Sequence, residues 1–405
     1  MNFLPQASGT RPRVACEIMP QGIIAARSAD AAAPLSAVAK VALFDGAVVP
    51  GLKPGNIVDR VAVTAAIRRA LEQIGERPNS RTSGNARSSI ALVIPDAAVR
   101  VLLLDFEALP NRLTEALPLV RFRLKKLLPF DSDDAMVTFQ AMSSSKSVVR
   151  VLAVAIPRDV LSEYETAVRE AGFEPGAVLP STLAALAAVD ADSTELLVNA
   201  NPLGVTAAIV RSGVLLLHRS VDLQQHGDHM AFTATPIASG VPALPLVDLE
   251  ATAGEWAAQE PLPEHGRNPY ADRLADEQAT QNFDGVTGLP EPGVYTPEAP
   301  PPPLHQAEML AALPEPEPLS AEIAQAVSVA AAYFEDTLAI APTQVLSAGP
   351  LGAEKLSSIL AASGVGEGDG LHVRELVETS ALLPDAVTSA APRAWLSGVL
   401  GALRG

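Results

Sequence analysis

A chain of 405 residues is too long for one small domain and predicts two or three lobes, and 48% apolar residues with only 4% aromatics predict an aliphatic core. A formal net charge of −17 lacks the electrostatic footprint of a nucleic-acid binder, and a single cysteine, Cys16, excludes an intrachain disulfide and a cysteine-built zinc site and points to a reducing, cytosolic compartment. The opening MNFLPQASGTRPR has no apolar stretch behind a basic start, and no run of 18 residues is free of charges and strong breakers, so neither a secretory signal nor a membrane span is predicted.

Along the chain, RVACEIM, GIIAARS and AVAKVALF read as three short β-rich runs, with Cys16 a core residue of the first. Apolar positions Val58, Val61, Ala65, Ile67, Leu71 and Ile74 predict an amphipathic helix from Ile57 to Ile74, and a strand follows from Ser89 to Ile94. An extra module comes next. VRVLLLDF is a strand, NRLTEALPLVRFRLKKLLPF a helix candidate in which Pro118 either makes a kink or marks a start, and DAMVTFQAM and SVVRVLAVAI are strands joined by the polar turn SSSKS. A helix from Ile156 to Ala171 is closed by Gly172.

The second half repeats the first: ELLVNAN, GVTAAIV and GVLLLHRSV are three strands with tight turns. Residues 225–317 interrupt it. Between Pro236 and Pro318 lie 16 of the 35 prolines, and between Asp248 and Glu317 there are 14 acids against Arg267 and Arg273. Such sequence buries too little apolar area to offset chain entropy, so 225–317 is predicted to be disordered, with APPPP locally extended. A helix (Ala321–Leu338), a strand (Thr343–Ala348), a helix (Gly352–Ala362), the strand LHVREL and a final helix near Arg393–Leu403 complete the chain. Three antiparallel strands feeding a helical crossover make a mixed-sheet α/β unit, and its repetition predicts two related lobes facing across a cleft.

On these residues the chain resembles the PilM-type actin-like proteins of type IV pilus assembly and, more distantly, the cytoplasmic part of GspL-type type II secretion proteins. The stretch VIPDAAVRVLLLDFEALP, the helix ending LKKLLPFDSDDAMVTFQ, and VVRVLAVAIPRDVLSEYETAVREAGFEP are similar to that family's inserted subdomain. STELLVNANPLGVTAAIVRSGVLLLHRSV is similar to its second phosphate loop and hairpin, and EIAQAVSVAAAYFEDT with TQVLSAGPLGAEKLSSIL to the helix and adenosine-side loop that follow. The resemblance covers about residues 13–222 and 319–405. It implies an α/β fold of duplicated actin-like (ribonuclease H-like) type, with an inserted α/β subdomain and the long acidic insertion. The expected division is a first lobe at 13–95, completed by 173–190 and 385–405. The inserted subdomain is expected at 96–172, and the second lobe at 191–222 and 319–384.

The departures from the family pattern bear on function. Nucleotide-binding members have a first loop of the form Asp-Ile-Gly-Ser-Ser-Ser-Ile-Lys; here stands Glu17-Ile18-Met19-Pro20-Gln21-Gly22-Ile23-Ile24, with Met19 for the glycine and Ile24 for the lysine. Glycine lets backbone N–H groups approach phosphate oxygens and lysine neutralises them. In the second loop Asn199-Ala200-Asn201 replaces Asp-Ile-Gly, with Gly204 and Thr206 beyond, and neutral Asn199 is a weaker magnesium ligand than a carboxylate. The third loop reads Ser347-Ala348-Gly349-Pro350-Leu351-Gly352. The residues aligned with the nucleotide loops are thus Glu17, Gly22, Asn199, Asn201, Gly204, Thr206, Gly349 and Gly352. No cofactor is expected: ATP with magnesium is what the fold would carry, and the loops argue against its hydrolysis.

Other motifs read as ordinary structure. GxxxxGK[ST] is absent, which excludes the P-loop class, and Gly364–Gly370 is an acidic glycine run placed after a helix and before a strand, so it reads as a connection. His226 and His229 are two potential ligands without fixed companions, and Ser143–Lys146 matches SxxK only within a turn. Arg121, Arg123, Lys125 and Lys126 form a basic run that is a solvated helix face or a contact for anionic lipid or an acidic partner. Met1-Asn2-Phe3-Leu4-Pro5 resembles the Asn-Leu-Leu-Pro peptide by which the family's PilN-type membrane partner docks, or is a frayed terminus.

The resemblance therefore implies a non-enzymatic cytoplasmic scaffold, peripheral to a bacterial inner membrane, that binds the tail of a PilN-type membrane partner and contacts platform or motor proteins of the pilus or a related secretion system. The groove expected to take that tail lies near Leu127, Leu128 and Phe130. The competing reading is an active ATPase or phosphotransferase of the same fold, with Glu17 as the one acid left in the first loop.

Overall fold

The computed structural model describes residues 12–78, 89–144, 148–190, 192–223, 318–365, 371–388 and 391–404, all within one unit of the chain. The expectations for residues 1–5, for His226 and His229, and for the acidic insertion lie outside the described residues. So do the tip of the SSSKS turn and the glycine run beyond Val365.

The first half builds β1 (Val14–Met19), β2 (Gly22–Ser28) and β3 (Leu35–Ala42) as an antiparallel meander. Helix α1 (Arg60–Gln73) crosses over, and β4 (Ser89–Ile94) lies parallel to β1. The module then adds β5 (Arg100–Phe106), α2 (Leu113–Leu124), β6 (Ala135–Ser144), β7 (Val149–Pro157) and α3 (Arg158–Ala171). The chain returns as β8 (Glu174–Pro180), parallel to β4, and α4 (Ser181–Leu186).

The second half repeats the plan. β9 (Thr194–Asn201), β10 (Gly204–Arg211) and β11 (Val214–Asp222) form an antiparallel meander. The β10–β11 turn is Ser212-Gly213, both at positive φ (47° and 72°), which matches the twist of a two-residue hairpin. Helix α5 (Pro318–Leu338), β12 (Gln344–Ala348), α6 (Ala353–Ala362) and β13 (His372–Glu375) follow, with β12 parallel to β9 and β13 parallel to β12. Last come β14 (Leu382–Thr388), a 3-10 turn at Arg393–Leu396, and α7 (Ser397–Arg404).

The sheet orders are β14-β3-β2-β1-β4-β8 and β11-β10-β9-β12-β13. Setting aside the edge strand β14, each reads third, second, first, fourth, fifth in its own half. The duplicated actin-like architecture expected from the resemblance is present. Among the described residues no helix is long and apolar enough to cross a membrane.

Several local expectations are corrected. Helix α1 starts at Arg60, because the Asp59 carboxylate caps it by accepting from the Ala62 N–H at 2.8 Å. Val58 (62% exposed) and Val61 (82%) therefore stand outside its apolar stripe, which is Val63, Ala66, Ile67, Ala70 and Leu71. Pro118 lies inside α2. The expected division puts helix α3 in the inserted module, whereas Val160, Tyr164, Ala167, Val168 and Ala171 pack into the core of the first sheet. The module's own core is α2 (Val120, Leu124) against Leu104, Val137 and Val151. The opposite face of its sheet, through Leu152, meets Leu197, Val210 and Leu215 of the second lobe. The sequence reading gives no element at β8, β14 or α4; EPGAVLP and LLPDAVT carry prolines, which are tolerated here because both strands lie at sheet edges.

Candidate functional site

Parallel pairing of β1 with β4 and of β9 with β12 sets their C-terminal ends side by side within each sheet, and residues at those ends meet between the sheets. That convergence gathers a buried polar cluster. On β1, Glu17 is buried, and its Oε1 accepts from the Ser181 Oγ at 2.6 Å. Asp96, just after β4, accepts from the Thr182 N–H at 3.0 Å and from the Thr182 Oγ1 at 2.5 Å. Asn199, on β9, joins the two pairs. Its amide Nδ2 lies 3.1 Å from Ser181 Oγ, 3.0 Å from Thr182 Oγ1 and 3.2 Å from Asp96 Oδ2, and it is the donor to each. The direction of donation is consistent throughout: the amide gives to two hydroxyls, and each hydroxyl gives to a carboxylate. An uncharged donor at position 199 thus links buried Glu17 and half-buried Asp96 in one hydrogen-bond network.

Electrostatics follow from this packing. Burial pushes the Glu17 carboxyl up to about 7; the Ser181 hydrogen bond opposes that shift and the charge of Asp96 adds to it. Glu17 Oε2 has no hydrogen-bond partner among the described residues and faces Gly398 of α7, where a Cβ would overlap the carboxylate. His218, half-buried on β11, has its pKa lowered by desolvation against the pull of Asp96, and burial raises the Cys16 thiol.

The first loop has no open phosphate cradle. Met19 and Ile24 are buried in the core beneath α7, so neither side chain faces the cleft. Gly22 is explained by the sheet itself, since a Cβ there would sit 2.6 Å from the Val41 carbonyl oxygen. In the second loop Asn201 Oδ1 accepts from the Leu203 N–H at 2.8 Å, and Thr206 Oγ1 meets Ser220 Oγ at 2.8 Å. In the third, Gly349 has φ 80° and donates to Ser397 Oγ at 3.2 Å. A Cβ on Gly349 would overlap Asn199 Oδ1 and come 2.8 Å from the Ala200 carbonyl oxygen. Gly352 (φ 78°) caps α6, and the Ala353 N–H at that helix start donates to Glu375 Oε1 at 2.8 Å. A carboxylate of the chain itself occupies the N-terminal amide where an anionic ligand would bind.

Beside this cluster is a cavity of about 620 Å³. Its walls are Val49–Gly55 of the first lobe, Pro95–Ala97 and Arg100, Pro129 and Phe130 of the module, and the β9–β11 face including Asn201, Gly204 and Thr206. The 49–55 wall is held from behind: the Gly55 and Asn56 N–H groups donate to the Glu163 carboxylate of α3 at 2.6 and 2.7 Å, and the Tyr164 hydroxyl donates to Asn56 Oδ1 at 3.1 Å. Of the three residues expected at the groove, Phe130 reaches the cavity, Leu128 packs toward the module core, and Leu127 is 43% exposed and does not line it.

The structure thus brings Glu17 and Asn199 together, and sets Asn201, Gly204 and Thr206 on the cavity wall. Asp96, Ser181, Thr182 and Ser397 were missed. An acid directly after the strand SIALVIP is the available signal for Asp96. Ser181 and Thr182 had none, because β8 and α4 were themselves unread.

No protein-family model matches the chain, and no curated protein does. Among solved structures, a chain of the PilM-PilN type IV pilus biogenesis complex aligns with a TM-score of 0.59 at 16% identity, covering 97% of this chain and 99% of that one. Weaker likenesses are to the cytoplasmic domain of EpsL, an inner-membrane component of the type II secretion system of Vibrio cholerae (TM-score 0.34, 14% identity, 52% of this chain and 71% of that one), and to the ethanolamine utilization protein EutJ from Carboxydothermus hydrogenoformans (TM-score 0.41, 12% identity, 100% and 92%). Together with the matched strand orders, the first of these likenesses establishes the fold as the actin-like one found in that pilus biogenesis complex.

Proposed function

We propose that this chain is a PilM-type scaffold of type IV pilus assembly, or of a related secretion system, that binds the cytoplasmic tail of a PilN-type membrane partner and does not hydrolyse nucleotide. The observation that carries the second half of this reading is the closed hydrogen-bond cluster Glu17–Ser181–Asn199–Thr182–Asp96. Glu17 Oε1 and both Asp96 oxygens accept within it, and Glu17 Oε2 is buried against Gly398 of α7. A magnesium–nucleotide would need at least one ionised carboxylate free to face it and a turn free to approach its phosphates. Glu17 is buried with a carboxyl raised to about 7, the Gly349 turn is filled by the Asn199 side chain, and the α6 start is held by Glu375. These residues do not fit the group, so no chemical step is assigned to it.

The cavity supports the first half. Proline-rich walls at Val49–Gly55 and Pro129, the ring of Phe130, and the charges of Lys53, Arg100 and Asp222 suit an extended peptide that buries a few aliphatic side chains and anchors its backbone. Association with the inner membrane and with platform or motor proteins then follows through that partner.

Two measurements test the reading. Phe130→Asp should abolish capture of the full chain by a PilN-type tail peptide while circular dichroism is unchanged; retained capture removes this site. Mg-ATP at about 100 times a true dissociation constant would stabilise the fold by about 2.7 kcal/mol. No thermal shift is expected, and ATP turnover would establish the ATPase reading instead.

A further inference from the structure

The strands at the edges of the sheets are β14 and β8, β11 and β13, and, in the module sheet β5-β7-β6, β5 and β6. An edge strand presents unpaired N–H and C=O groups, and charges, prolines or short length ordinarily keep those groups from pairing with another chain. β14 and β8 carry prolines, β13 is four residues long, β11 carries Arg219 and Asp222, and β5 carries Arg100 and Asp105. β6, AMVTFQAMSS, runs for ten residues with neither a charge nor a proline. Its register tells which backbone groups face outward. The Arg158 N–H donates to the Asp134 carbonyl at 3.0 Å, so that pair is hydrogen-bonded, and by alternation so are Met136–Ile156, Thr138–Val154 and Gln140–Leu152. The N–H and C=O groups of Ala135, Val137, Phe139 and Ala141 therefore point away from β7. The Ala135 carbonyl is covered, since it accepts from Arg121 of α2 at 3.1 Å. Among the described residues no hydrogen bond engages the outward groups of Val137, Phe139 and Ala141. Met136, Thr138, Ala141 and Ser143 are exposed along this edge.

We propose that β6 pairs with β6 of a second copy of this chain, antiparallel and about a two-fold axis at Phe139. Phe139 then meets Phe139 of the copy, and Val137 and Ala141 meet Ala141 and Val137. Each of these pairs exchanges two N–H···O bonds, so every outward group of the three residues finds a partner. The free groups are spaced evenly about Phe139, which makes the edge complementary to itself, as a two-fold contact requires. The side chains agree: ring faces ring and Val faces Ala on one side of the joined sheet, and Thr138 faces Gln140 on the other. Charge fixes the direction. Asp131, Asp133 and Asp134 precede β6, and Lys146 follows its end by two residues in the sequence. Lys125 reaches Asp133 at 3.9 Å, and among the described residues no ion pair engages Asp131 or Asp134. Antiparallel pairing carries the acids of each copy toward the Lys146 end of the other, whereas parallel pairing would set acids beside acids. The irregularity between Ala141 and Ser143 ends the matched stretch. This contact is separate from the peptide reading, because no residue of β6 lines the cavity at Phe130.

Sedimentation velocity of the full chain from about 1 to about 200 μM reads this contact. A monomer–dimer equilibrium is expected, with hydrogen exchange at the Val137, Phe139 and Ala141 amides slowed about tenfold in the dimer. Ala141→Pro removes an outward N–H and leaves the β7 ladder untouched, so it should weaken the dimer at least about tenfold. Thr138→Lys places two like charges diagonally across the joint and should weaken it about fivefold. Both variants should keep the circular dichroism of the parent and any capture by the tail peptide, and Phe130→Asp should keep the dimer. If Ala141→Pro disturbs the fold, Thr138→Lys, a change at an exposed side chain, decides alone. A parent that stays monomeric over the whole range, a dimer unweakened by Thr138→Lys or by a folded Ala141→Pro, or a dimer dissolved by Phe122→Ser on α2 instead, would each overturn the proposal. Slowed exchange at the three amides in a monomeric parent only when the tail peptide is added would overturn it in favour of that peptide.

Discussion

The two lobes share one strand order and differ in what their loops carry. In the first, the β1–β2 turn is lined by Met19, sunk into the core, and the connection from β4 to β8 holds a whole extra module. In the second, β9 ends in Asn199 and Asn201, and helix α6 lies between β12 and β13. Strand order follows from which alternating runs can pair and be covered by helices, and it tolerates almost any turn residue. The site depends on those turn residues. An actin-like frame therefore persists here around loops whose polar atoms face one another.

The largest effect should come from the contact between α4 and α7 beside the first sheet. Helix α7 packs on α4 so closely that a Cβ on Gly401 would collide with the Ala184 carbonyl. Gly401→Val is expected to destabilise by more than about 3 kcal/mol or to prevent folding, read as a fall in the urea midpoint. A mild effect would mean that α4 and α7 separate easily.

Next is Asn199→Asp. The new carboxylate cannot donate to Ser181 and Thr182, and it would be a third acid beside Glu17 and Asp96. A loss of about 2–4 kcal/mol at pH 8 is expected. If magnesium restores that loss, the second-lobe loop is one substitution from a cation site, and the contrast with the first lobe sharpens.

Glu17→Gln tests the first lobe. Glu17 titrates near 7 when folded against 4.5 when free, so between those values the folded state holds the extra proton and stability falls as pH rises. His218, whose pKa is lowered by burial, contributes with the opposite sign, so the difference between parent and variant isolates Glu17. Glu17→Gln should be more stable than the parent by on the order of 2–3 kcal/mol at pH 8, with the gap closing toward pH 5 in urea titrations. A gap independent of pH would mean that Glu17 is ionised throughout.

Smaller still, Glu375→Ala removes the carboxylate at the start of α6 and should cost about 1 kcal/mol. It also bares the Ala353 N–H. If Mg-ATP then shifts the thermal midpoint, the third loop was blocked by that side chain alone.

Much of the frame was legible in the linear order of residues. Strands Ser89–Ile94 and Gly204–Arg211, the cap at Gly172 and the repeat of three strands, helix and strand arise from local alternation and from turn residues that carry their own geometry. Those signals are short-range, so a single chain reveals them. The partners of Glu17 were not legible, because Ser181 lies 164 positions away and meets it only once β8 has joined the sheet edge. Nor was the exposure of Val58 and Val61, which depends on where Asp59 starts the helix, or the role of α3, which packs on the first sheet although it follows the module's strands. Periodicity tells which residues leave water; which surfaces they leave it against, and which polar groups then meet, is decided only when segments distant in sequence close on each other.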